Sequence, residues 1–162
     1  MRLIALTAAV LLAGASAAAA APASVSVAIA PKLQKTFDST YGVREADLLT
    51  KDLRASVEKS LAKTGAYNDA RIELVLTDVK PNRPTFKQLG DTPGLSLESY
   101  GVGGAAIEGR IVAANGTETP ITYRWFETDI RESYGRWVWT DAEWTFDRFA
   151  RRLASGAELA QR

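Results

Sequence analysis

No cysteine and no histidine occur among the 162 residues of this chain. Without cysteine there can be no disulfide and no thiol for lipid attachment. Without histidine the chain lacks the usual general base near neutral pH and the commonest metal ligand. The two absences together exclude zinc, copper and haem sites built from their familiar ligands. They also exclude nucleophile systems built on cysteine or on a serine–histidine pair. Carboxylates, lysine, tyrosine, serine and threonine remain for any catalysis, and no cofactor is expected. An excess of one charge is missing too, with 20 Lys+Arg against 19 Asp+Glu. A neutral domain has no overall field to gather nucleic acid or anionic lipid, so neither is an expected partner.

What is present begins with a leader. Met1-Arg2 is followed by an apolar run from Leu3 to Ala13, then Gly14 and small residues to Ala23. A charged start, a short apolar core and a small-residue exit describe a secretory signal peptide. A spanning helix needs about 20 apolar residues with polar flanks. Residues 1–20 are therefore expected to be removed, with cleavage after Ala20, because a cut after Ala21 would leave Pro22 at the new N-terminus. Residues 21–162 are then expected to form a single α/β sandwich domain in the periplasm or outside the cell. Removing Arg2 leaves 19 basic and 19 acidic residues, and no later run is apolar enough to span a membrane.

Periodicity supplies the elements. Val25, Val27 and Ile29 alternate along 24–30, a strand pattern that Pro31 ends. Residues 31–43 read as an irregular connection. Leu49, Leu53, Val57 and Leu61 recur every four residues and predict a helix over 45–64. Glu45 and Asp47 lie in its first turn, and Gly65 comes after it as a left-handed cap. Residues 70–79 predict a strand with Ile72, Leu74 and Leu76 on one face. Two prolines in Pro81-Asn82-Arg83-Pro84-Thr85 then demand a loop, running to Gly94. A short strand is expected over 134–139. Thr140-x-x-Glu143 reads as a capping box for a last helix, with Ala142, Phe146, Phe149, Ala150 and Leu153 on its apolar face. The fold class predicted is α+β: a two-layer α/β sandwich of order β-α-β-β-β-(β)-α, its sheet largely antiparallel, with two helices on one face.

Residues 95–113 and 117–128 predict a hairpin whose register can be argued. A two-residue turn at Asn115-Gly116 sets Ile107 opposite Arg124 and mixes apolar and charged side chains on each face. A three-residue loop, Ala114-Asn115-Gly116, sets Ala113 opposite Thr117, Ile107 opposite Tyr123 and Ala105 opposite Trp125. Because a one-residue slip turns every side chain over, burial selects the second register. Asn115-Gly116-Thr117 also matches a glycosylation sequon, read here as turn chemistry.

Several strings imitate catalytic motifs. Ser56-Val57-Glu58-Lys59, Ser60-Leu61-Ala62-Lys63 and Lys63-Thr64-Gly65 resemble the signatures of penicillin-recognising enzymes, but all lie on one helix and its cap. Gly101-Val102-Gly103-Gly104-Ala105-Ala106 fits a dinucleotide fingerprint, yet residues 107–112 alternate as a strand does, where the fingerprint needs a helix. A glycine-rich strand with close backbone contact accounts for it. Glu127/Asp129 and Asp141/Glu143 are carboxylate pairs of the kind used in glycoside hydrolysis or calcium binding. All four tryptophans fall between 125 and 144. Trp137 and Trp139 share one face of an extended segment, and Trp144 is one helical turn from Arg148, on which it can stack.

Tyr41-Gly42, Pro81-Asn82-Arg83-Pro84-Thr85, Gly94-Leu95-Ser96, Gly103-Gly104-Ala105 and Trp139-Thr140-Asp141-Ala142 together resemble a group of small exported proteins of Gram-negative bacteria. The resemblance covers most of the chain after the leader and implies export; it brings no site residues with it. The leading expectation is a non-enzymatic module that binds an envelope protein or glycan. Its candidate surfaces are Asn82 and Arg83, Gly103 and Gly104, and Trp137, Trp139 and Trp144. The alternatives are a carboxylate-dependent glycan hydrolase, which needs Glu127 or Asp129 to face a second acid across a cleft, and a carrier with an enlarged apolar pocket.

Overall fold

The computed structural model describes residues 24–157 and 159. The expected leader and its cleavage point lie outside the described residues. Four strands form one sheet in the order β1-β2-β3-β4: β1 Ser24–Ile29, β2 Arg71–Lys80, β3 Gly104–Val112 and β4 Glu118–Phe126. β1 runs parallel to β2, while β2, β3 and β4 are antiparallel. Two long helices, α2 Val43–Thr64 and α4 Thr140–Ala154, cover one face. The fold is α+β, and the domain has the two layers expected of it.

The core is where the periodic patterns meet. Leu49, Leu53, Val57 and Leu61 of α2 are all fully buried, as are Ala142, Phe146, Phe149, Ala150 and Leu153 of α4. They pack on Ile72, Leu74, Leu76, Ile107 and Ile121 from the sheet. The opposite face carries an exposed ladder of ion pairs, Arg71–Glu73–Arg110–Glu118. Simple alternation along β2 would carry Asp78 into the core after Leu76. A bulge at Thr77 prevents this: the register shifts between Leu76 and Asp78, and Val79 turns inward opposite Ala105. Thr77 Oγ1 donates to Ala106 O at 3.2 Å, tying the bulge to the neighbouring strand.

The hairpin takes the three-residue loop. Ala113 N donates to Thr117 O at 2.9 Å, Ile107 pairs with Tyr123, and Ala105 pairs with Trp125. Gly116 sits at φ 83°, and Asn115 Oδ1 accepts from Thr117 N at 3.0 Å, so the sequon residues serve the turn. Gly65 caps α2 at φ 67°. The glycine run lies in loop and strand. A Cβ on Gly109 would meet Glu73 O at 2.1 Å, and one on Gly104 would meet Trp125 O at 2.4 Å.

Four expectations are corrected. Residues 31–43 are not irregular: α1, Pro31–Thr36, leads into a single π-helical turn, Phe37–Tyr41, closed by Gly42 at φ 103°. Pro31 presets the first turn, and Leu33 and Phe37, four apart, bury one face. Residues 95–103 are loop rather than strand, since crowding at Gly103 and Gly104 sets the strand's start. The segment 134–139 is not a strand: a 3-10 turn, Ile130–Ser133, precedes it, and Gly135 at φ 81° bends it. Thr140 does not form a capping box with Glu143. Trp139 is the N-cap of α4, and the Thr140 hydroxyl accepts from Trp137 N at 2.9 Å. The capping box is instead Thr85/Gln88, which opens the short α3, Phe86–Asp91, inside the proline-bounded loop.

Candidate functional site

The site is built on a buried polar hub at the N-terminus of α4. Asp141 is fully buried. Its Oδ2 accepts from Asn82 Nδ2 at 2.6 Å and from Gly103 N at 2.9 Å, and its Oδ1 accepts from Arg136 Nη1. Asn82 Oδ1 accepts in return from Asp141 N at 2.9 Å. The guanidinium of Arg136 also donates to Glu127 Oε2 at 3.0 Å and lies 4.5 Å from the centre of the Trp144 ring. A buried charge is costly unless it is paired and hydrogen-bonded, and this cluster supplies both. Two backbone N–H groups, from Asp129 and Thr128, and then Arg136 hold the Glu127 carboxyl below its usual range.

The hub ties the loops together. Asn82 N donates to Val138 O, and Gly101 N donates to Asn82 O, both at 2.8 Å. Arg83 Nε donates to Arg136 O at 2.6 Å, and its Nη1 to Leu97 O at 2.5 Å. Three segments distant in sequence thus meet along one rim: residues 82–86, 97–103 and 136–141.

Above the hub lies a groove of about 210 Å³ between α2, α3 and the start of α4. Leu48, Phe86, Leu97 and Trp137 form its rim. Phe86 is 80% exposed, Trp137 66%, and Leu48 and Leu97 45% each. Phe86 is displayed because the capping box fixes α3 and Phe86 is its first residue. Trp139 is buried beneath, its Nε1 donating to Glu45 Oε2 at 2.6 Å and its ring edge-on to Tyr41. The groove continues into a wider hollow past Phe86 and Leu48, bounded by Tyr41, Val43 and Lys87.

The expected site residues therefore divide. Asn82, Gly103 and Gly104 are buried and engaged in the hub or the sheet edge, where they shape the site from beneath. Arg83 braces the rim with its guanidinium. Trp137 and Trp139 do not share a face: one is rim and the other floor, because the chain turns between them, at 138–139, to enter α4. Trp144 does not stack on Arg148. Arg136 covers it instead, and Arg148 lies 4.1 Å from the ring centre of Trp125. Phe86, Leu48 and Leu97 were not marked by the sequence. The Thr85-x-x-Gln88 spacing is a capping signature and would have placed Phe86 at the start of an exposed turn.

Glu127 is bonded to Arg136, which it shares with Asp141, and Asp129 is paired with Arg131. Among the described residues no group of three His, Cys, Asp or Glu is placed to hold a metal ion. The groove and the hollows beside it open to the surface. Among the described residues, no helix is long and apolar enough to cross a membrane. Comparison with protein-family models and with curated proteins finds no match to the chain.

Proposed function

We propose that this chain is an exported, non-enzymatic binding module of the bacterial cell envelope, and that it engages a protein or glycan component through the groove rimmed by Phe86 and Trp137. The observation that carries the reading is the rim itself. Burying a side chain of this class gains about 1.5–3 kcal/mol. Yet four large apolar side chains stay outside the core around one concavity: Leu48 on α2, Phe86 at the start of α3, and Leu97 and Trp137 on loops tied to the buried ionic hub. Scattered exposed apolar residues need no explanation, but a contiguous set around a groove marks an interaction surface. Interfaces favour tryptophan and phenylalanine at such positions, since they supply large contact area at low entropic cost. The charged and small-residue leader supports the address.

Affinity capture from envelope extract, comparing the wild-type chain with Trp137→Ala, tests the reading. A component retained by the wild type and lost by the variant is expected, with both proteins melting alike. Identical capture profiles would remove the groove from the function.

A further inference from the structure

We propose that the groove takes a peptide segment of the partner bearing a large apolar side chain beside a lysine or arginine, the apolar group between Phe86 and Trp137 and the cation on Glu143 and Asp52. This deepens the reading above and rests on it.

Size and lining point to a peptide anchor. The groove itself, about 210 Å³, suits one large side chain, and the wider hollow past Phe86 and Leu48 gives the flanking residues of a peptide a path along the surface. Sugar recognition needs free hydrogen-bonding groups beside the aromatic ring. Here Trp139 Nε1 is engaged with Glu45 and the Thr85 hydroxyl is engaged in its capping box, which leaves the Glu143 carboxylate as the lining acceptor still open. The rest of the wall is mostly proline, leucine, phenylalanine and valine.

Charge decides what accompanies the anchor. The groove is lined by two carboxylates, Glu45 and Glu143, and by no lysine or arginine. Glu143 also lines an adjoining hollow of about 330 Å³ between α2 and α4, with Asp52, Ser56, Lys59 and Asp147. In the hub, Glu127 and Asp141 meet Arg136. Glu143 and Asp52 form no ion pair among the described residues, and Asp147 accepts a hydrogen bond from Ser56 Oγ at 2.8 Å. With Lys59 as the one cation of that hollow against three carboxylates, negative charge is in excess there, and Glu143 carries it to the wall of the groove. Burial, then the charges of Asp52 and Asp147, push the Glu143 carboxyl up; a bound ammonium or guanidinium would oppose the two like charges.

The test titrates the mature chain with a short acetylated and amidated peptide of alternating leucine and lysine, monitored by tryptophan fluorescence and calorimetry. Matched leucine–glutamate and serine–lysine peptides and an N-acetylglucosamine oligomer are run beside it. Saturable binding of the leucine–lysine peptide alone is expected, weakening with added salt. Trp137→Ala should lower the affinity by about 30-fold, as loss of an interface anchor does. Glu143→Gln with Asp52→Asn should lower it by about ten-fold. Glu143→Lys should shift preference toward the leucine–glutamate peptide, a gain that a misfolded variant cannot give. Equal binding of both charged peptides overturns the proposal. So does binding of the oligosaccharide in place of the peptide, or a stable dimer in solution that buries Trp137. If no peptide binds while Trp137→Ala still loses an envelope component, the ligand class falls and the groove reading stands.

Discussion

Asp141 is fully buried, which the fold tolerates because Asn82, Gly103 and Arg136 all donate to its carboxyl oxygens. Removing Asp141 leaves the Gly103 N–H without its acceptor and takes one acceptor each from Asn82 and Arg136. Asp141→Ala should cost about 3–5 kcal/mol, read as a drop in the urea midpoint, because Arg136 keeps its charge and loses its closest acceptor. Gly109 tests steric fit in the same way. Its ideal Cβ falls 2.1 Å from Glu73 O. Gly109→Ala should therefore cost about 1–3 kcal/mol, the range for forcing extra atoms into a filled space, with the β2–β3 amides losing hydrogen-exchange protection first. At this scale the sequence was only partly readable. That Gly109 abuts a neighbouring strand agrees with a glycine inside an alternating run. That Arg136 serves Asp141 and Glu127 has no local signature, since a salt bridge leaves no periodic trace.

Elements carry the next set of consequences. The β3–β4 register results from face burial, so it should survive a change of loop length. Deleting Asn115 leaves a two-residue loop, Ala114-Gly116, that still sets Ala113 opposite Thr117, so the cross-strand NOE between Ile107 and Tyr123 should persist while the loss of stability falls on the turn. Between α2 and α4 the balance depends on pH. Burial raises the Asp52 carboxyl above its ordinary value, and burial with neighbouring charge raises Glu143. Over the window between the ordinary and the raised values, the folded protein holds more protons than the unfolded chain. These two groups therefore make stability fall as pH rises through that window. Glu73, Glu127 and Asp129 are shifted down by their arginines and backbone donors, so their contribution runs oppositely and is lost on acidification. Glu143→Gln should flatten the first dependence: the gap in melting temperature between variant and wild type should widen, in favour of the variant, from mildly acidic to neutral pH. α3 and the helical 31–41 segment were hidden behind prolines, which signal a loop and a helix start with equal force.

Across the whole molecule, stability and recognition are separated in space. The helix stripes and inner sheet face make one core, whereas the groove lies among the first turns of α2, α3 and α4 and the loops beside them. Trp137→Ala should leave the unfolding free energy within about 0.5 kcal/mol of wild type, as for a surface change that touches no buried network. The same substitution removes the largest side chain of the rim, so loss of binding without loss of stability is the expected pairing, checked by urea melts beside the capture experiment. Export to the envelope stays part of the proposal, supported by the leader.

Local spacing by itself determined the two long helices, the four paired strands and the hairpin register, because burial of one face every 3.6 or every two residues is written into the chain. Composition alone excluded thiol and imidazole chemistry. Only the tertiary structure decided which tryptophan is floor and which is rim, where Asp78 turns outward, and that Asn82, Gly103, Arg136 and Asp141 form one hub. Those outcomes depend on contacts between segments distant in sequence. Distance along the chain carries no record of them until loops close and desolvation forces each buried charge to find a partner.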